Sequence, residues 1–142
     1  MGWKLPGALA IAVMASVLLV EPGASRSTRS HPVSPVVSPT AGDPDTRFKA
    51  TFRAKNTARG GRAYDIEATG PEELSDADCN YDFQAFRHPK RGDLVVVKMP
   101  RRSEGRWCPG RYDGTVFLQR RNRDGEEIVD DVVGRFRFRV ED

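Results

Sequence analysis

The chain has 142 residues, enough for one ordinary domain and too few for two. Its 23 Lys and Arg exceed its 20 Asp and Glu by only three, an excess too small for nucleic-acid binding driven by bulk charge. Two cysteines and two histidines are also too few for a cysteine-rich metal centre.

Lys4 precedes an apolar run from Leu5 to Val20, which is followed by Glu21-Pro22-Gly23-Ala24-Ser25. A positive start, a hydrophobic middle and small residues at the end are the layout of a secretory signal peptide, residues 1–24, with cleavage expected after Ala24. The 16 residues of the run fall short of the ~20 that a spanning helix needs, and Pro6 and Gly7 weaken it further, so no membrane span is expected in the mature protein. No cysteine follows the run to carry a lipid. Export implies an oxidising environment, and Cys79 and Cys108 offer only one pairing, so a disulfide between them is predicted.

Residues 25–45 are rich in Ser, Pro, Thr and Gly, with Pro32, Pro35, Pro39 and Pro44 spaced through them. The composition predicts a disordered, polyproline-like linker, because so little apolar surface cannot offset the entropy of ordering. His31 lies in it and is expected to have no special chemistry. No Asn-x-Ser/Thr acceptor for N-glycosylation occurs.

The folded domain is expected over residues 46–142. Phe48, Ala50, Phe52 and Ala54 alternate with polar residues, as do Tyr64, Ile66 and Ala68, which predicts two strands, each with one buried and one wet face. The polar turn with Gly60-Gly61 between them reads as the link of an antiparallel neighbour pair. Gly70-Pro71 ends the second strand, and Glu72 to Asp78 is an acidic loop with room for one helical turn.

Tyr81, Phe83 and Ala85 define one face of the next strand and Phe86 the other. After a turn at His88 to Asp93, the continuous apolar run Leu94 to Met99 is suited to a strand buried on both sides or to one closing the sandwich. In Trp107-Cys108-Pro109-Gly110-Arg111-Tyr112-Asp113-Gly114-Thr115-Val116-Phe117-Leu118, a tight turn leads into a strand with Tyr112, Val116 and Leu118 facing the core. Gly114 leaves room there for a close neighbour. Asp124-Gly125 marks a hairpin turn. Glu126 to Val133 is a weak strand or an irregular connection, and Gly134 allows a bend. Phe136, Phe138 and Val140 then alternate with Arg135, Arg137 and Arg139 in a closing strand. Six or seven short strands without a long helix predict an all-β antiparallel sandwich.

A disulfide-tied sandwich with a Gly-x-Tyr motif at Gly110-Arg111-Tyr112 resembles bacterial immunoglobulin-like domains. More narrowly, the segments from Trp107 to Val116 and from Val133 to Val140 are similar to those of small exported actinobacterial proteins. The resemblance covers mainly the last third of the chain and implies an immunoglobulin-like fold with no catalytic residue. Trp107 stands directly before the second cysteine rather than between the two. The antibody-type bridge between core strands is therefore not expected, and a strand end pinned to a loop is.

Among candidate sites, a nucleophile needs a histidine in reach, and His88 sits in a basic turn before Pro89. Oxidation of both cysteines removes any thiolate. The acidic group Glu72, Glu73, Asp76, Asp78 and Asp82 lacks the glycine and the closing glutamate of a calcium loop. Arg91-Gly92-Asp93 matches an adhesion tripeptide, but a hairpin turn requires a glycine there anyway. Neither catalytic residues nor metal or cofactor ligands are predicted.

Arg135, Arg137 and Arg139 must project from one side of the last strand. With Arg120, Arg121 and Arg123, and with Arg101, Arg102 and Arg106, they could build an anion-binding face, although such a face also protects a sheet edge from pairing with another chain. Residues 46–142 carry 20 Lys and Arg against 17 Asp and Glu, and no aromatics interleave on the arginine side, which disfavours nucleic acid. The expected function is a non-enzymatic module, secreted or at the cell surface, that binds or supports an anionic envelope polymer or another extracellular protein. The alternative is a small secreted inhibitor or ligand carrier acting through its end loops.

Overall fold

The computed structural model describes residues 30–56, 63–100, 105–121, 124 and 128–142. Residues 1–24, read as a signal peptide, lie outside them, as does the turn at Gly60-Gly61. The described residues form eight strands: β1 Val36–Ser38, β2 Ala41–Gly42, β3 Phe48–Arg53, β4 Tyr64–Thr69, β5 Asp82–Arg87, β6 Leu94–Met99, β7 Gly110–Arg121 and β8 Ile128–Val140. A single 3-10 turn, Glu72–Leu74, is the helical turn allowed for in the acidic loop.

The strands make two sheets, one in the order β1-β3-β6 and the other β2-β8-β7-β4-β5. Their inner faces meet in one core. Phe48 of β3 lies 4.3 Å, centroid to centroid, from Phe138 of β8, and Phe52 of β3 lies 5.3 Å from Tyr64 of β4. Trp107 closes one end edge-on, 4.9 Å from Tyr112 and 5.3 Å from Phe138, in the T-shaped geometry that ring quadrupoles favour. Gly114 is required where it stands, because a Cβ there would run into the Phe136 ring.

Several expectations are corrected. The strands number eight rather than six or seven, and the second sheet is mixed, because β2 pairs with β8 in parallel. β3 and β4 are not ladder neighbours: β3 pairs with β1 and β6, β4 with β5 and β7, so their alternations face each other across the core. β6 is an edge strand with Val95, Val97 and Met99 inside and Leu94 and Val96 exposed; its apolar outer residues had hidden the alternation. Of the two readings for the residues before Gly134, the strand is the one observed: β8 runs from Ile128 to Val140, with a bulge at Val133.

The linker is corrected as well. From Ser30 onward, the segment expected to be disordered belongs to the fold. Val33 and Val37 are buried in the core, and the Val33 amide donates to the Val133 carbonyl at 2.8 Å. Buried Asn56 clamps the segment: its Oδ1 accepts from the His31 amide and its Nδ2 donates to the His31 carbonyl, both at 3.0 Å. Composition undervalued two valines that plug an otherwise open core and a side chain that satisfies a whole backbone unit.

The predicted disulfide is present. Cys79 precedes β5 and Cys108 precedes β7, with Cα atoms 4.9 Å apart, so the bridge joins the β4–β5 connection to the entry of β7. Asn80 forms a parallel bridge with Trp107, and the Cys108 amide donates to the Asn80 carbonyl at 2.9 Å. The Tyr112 hydroxyl donates to the Cys108 carbonyl at 2.8 Å, with the Asn80 carbonyl at 2.9 Å. Burial pushes this phenol up to about 12, so it stays a donor at any working pH.

Two outcomes are expected from unfolding experiments. Replacing both cysteines with alanine should lower the unfolding free energy by about 3.6 kcal/mol, the chain-entropy value for a 29-residue loop, as read from urea titrations. Deleting residues 1–40 removes Val33 and Val37, each contributing about 1.5–3 kcal/mol by burial, and should lower the thermal midpoint by more than about 10 °C. A dispensable tether would leave it unchanged.

Candidate functional site

Register places the outward side chains of the five-stranded sheet in rows across the strands. One row runs Arg137, Asp113, Thr69, Asp82 from β8 to β5. The next runs Arg135, Thr115, Glu67, Gln84, and the one after it Val132, Phe117, Asp65, Phe86. On the other side of the Arg137 row, Arg139 of β8 faces Arg111 of β7, beyond the last ladder residue of β4.

The three arginines predicted to share a face do so, and all are exposed. Their surroundings differ. Arg137 Nε is 2.7 Å from Asp113 Oδ1, which neutralises it locally. Arg139 and Arg111 are like charges in one cross-strand pair, an unfavourable arrangement in isolation, and neither makes an ion pair with a described residue. A shallow depression of about 280 Å³ lies over Thr40, Arg111, Arg137, Phe138 and Arg139. A second, of about 450 Å³, lies over Asp113, Gly114, Arg135, Phe136 and Arg137.

Of the other arginines, Arg121 stands at the far end of β7 from Arg111. Arg120 pairs with Asp131 at 2.8 Å, Arg106 pairs with Asp45 at 2.9 Å, and Arg101, Arg102 and Arg123 lie outside the described residues. His88 is exposed in its turn, and Gly92 takes φ +95° at the tip of the β5–β6 connection, as a turn glycine does. Glu72, Glu73, Asp76, Asp78 and Asp82 are exposed, and the described residues contain no cluster of three or more metal-binding side chains.

One part of the face was not foreseen. Asp65, expected on the wet side of β4, is only 2% exposed, because Phe117 of β7 and Phe86 of β5 flank it in its row. Gln84 Nε2 bridges Asp65 Oδ2 at 2.9 Å and Glu67 Oε1 at 3.2 Å. Burial raises the pKa of both carboxyls, and Asp130 of β8 adds repulsion. The Gln84 hydrogen bonds oppose that rise at both groups. The only signal in sequence is the i, i+2 spacing of two acids, and any exposed strand face can carry that.

Phe86, Val132 and Ile128 are exposed at 45%, 49% and 58% on this side of the sheet. The face therefore carries cations on β8, apolar groups across one end and acids on β4 and β5. It contains no nucleophile–histidine pair among the described residues. The chain matches no family model, no curated protein and no solved structure. No helix among the described residues is long and apolar enough to cross a membrane.

The acid pair has a signed pH signature. A carboxyl whose folded pKa is raised contributes stability that is full below its unfolded pKa and is lost as pH rises through the folded value. For Asp65 and Glu67 that loss falls above the ordinary carboxylate range. Asp65→Asn keeps an acceptor for Gln84 and removes the charge. It is expected to raise the thermal midpoint at pH 7 and to flatten its decline between mildly acidic and neutral pH, as followed by circular dichroism. An Asn variant less stable than the parent at pH 7 would contradict the assignment.

Proposed function

We propose that the protein is an exported, non-enzymatic, immunoglobulin-like module that binds an anionic polymer of the cell envelope through the β2–β8 side of its larger sheet. Three observations support the immunoglobulin-like part. The orders β1-β3-β6 and β8-β7-β4-β5 correspond to strands A-B-E and G-F-C-C′ of variable-type domains, with β2 as the second half of a split A strand. The Tyr112 hydroxyl bonds to a backbone carbonyl four residues upstream at the start of the F-equivalent strand, a tyrosine corner. Gly114 stands two residues later, where antibody domains place a cysteine, and the disulfide is moved to the neighbouring connection.

The observation that carries the binding reading is the Arg111–Arg139 pair. Two guanidinium groups set side by side without a carboxylate are relieved by a multivalent anion, and Thr40 adds a hydroxyl beside them. The Cys79–Cys108 disulfide and the signal-like start support export. The inhibitor or carrier alternative has less support. The loops Glu72 to Asp78 and His88 to Asp93 leave opposite ends of β5, about 20 Å apart, and cannot form one site.

Retention of the purified protein on isolated cell wall or on an immobilised polyphosphate or polyuronate is expected to fall with rising salt. Arg111→Glu with Arg139→Glu should abolish it, and Arg137→Glu should weaken it less, because Asp113 already neutralises that side chain. Retention unchanged by the double variant would refute the proposal.

A further inference from the structure

We infer that the outer face of the β8-β7-β4-β5 sheet pairs with the same face of a second copy of this chain. This goes beyond polymer binding and involves other residues of the face.

Along β8 the outward residues are Arg137, Arg135 and Val132; along β4 they are Thr69, Glu67 and Asp65, with β7 between the two columns. A two-fold axis lying between two such faces and running along β7 carries β8 of one copy over β4 of the other, each row meeting its own counterpart. Arg137 of one copy then stands over Thr69 of the other, between Asp113 and Asp82. Arg135 stands over Glu67, and Val132 over the apolar cover that Phe117 and Phe86 make on Asp65. Phe117 meets its own counterpart on the axis. The same axis sets the β7 residues Asp113 and Arg111 each against its own counterpart, whereas an axis across the strands would lay the arginine column of β8 over β8 of the other copy.

Two features favour this occupant over another. Both charge columns are on one face, so it is complementary to itself. The apolar residues Phe86 and Val132 are exposed in the row that the operation closes. Arg111 and Arg139 lie beyond the last β4 ladder residue, at the margin of the paired face, where the two copies of Arg111 come together on the axis; that repulsion weakens the bare dimer and a bound polyanion would offset it. The face covers roughly 19 by 20 Å where all four strands run together, less than a stable interface buries, so the association is weak and depends on concentration and salt.

Sedimentation equilibrium of the purified protein, without polymer, tests it. The weight-average mass is expected to rise from monomer toward dimer between about 10 and 500 µM. Arg135→Glu and Glu67→Arg should each hold the protein monomeric, because each sets like charges together at both symmetry-related contacts. Mixing the two variants should restore the dimer. In the mixed pair the two introduced side chains face each other as opposite charges, and the native Arg135 and Glu67 meet at the second contact; thermal melts confirm that both variants are folded. A parent that stays monomeric across that range overturns the inference, as does a dimer indifferent to both substitutions or variants that fail to recover on mixing. A monomer that still binds polymer through Arg111 and Arg139 would sink the pairing and leave the binding reading intact.

Discussion

Val133 and Gly134 both face the interior of the molecule, and the β7–β8 ladder shifts register beside them. This bulge resets the alternation of the longest strand. On its far side Phe136, Phe138 and Val140 fill the core while Arg135, Arg137 and Arg139 point outward; on its near side Val132 returns to the outer face. A Cβ at residue 134 would press on Pro35 and Val33, so the bulge also makes the seat for the N-terminal segment. The core, the arginine column and the docking of the first described residues all depend on that one extra residue.

The closed end of the core rests on a second constraint. Trp107 and Tyr112 fill the space beside Phe138, and the disulfide with the Asn80–Trp107 bridge holds them there. The Tyr112 hydroxyl donates to the Cys108 carbonyl, while the Asn80 carbonyl beside it also accepts from the Cys108 amide. Rings, sulfur bridge and hydrogen bonds thus stabilise the same junction between the β4–β5 connection and β7.

The outer face of the larger sheet shows how neighbours change a residue's chemistry. Asp65 has the same strand position and polarity as any wet-face residue, but two phenylalanines from adjacent strands remove it from water and raise its pKa. Arg137 and Arg139 are two residues apart on β8, yet one is neutralised by Asp113 and the other faces a like charge. In both cases the cross-strand partner decides the role.

Much of the fold was legible locally. The alternations in β3, β4, β5 and the end of β8, the β7–β8 hairpin, the need for a small residue at 114 and the Cys79–Cys108 pair could be read from residue types alone, because side-chain period and cysteine pairing are properties of a short stretch or of a count. Sequence also determined that Arg135, Arg137 and Arg139 share a face. Tertiary structure alone decided which strands share a ladder, that β3 and β4 belong to different sheets, that the proline-rich segment from Ser30 is held by Asn56 and the core, and that Asp65 meets Phe86 and Phe117. Those outcomes depend on contacts between residues far apart in the chain, whose energies no local pattern records.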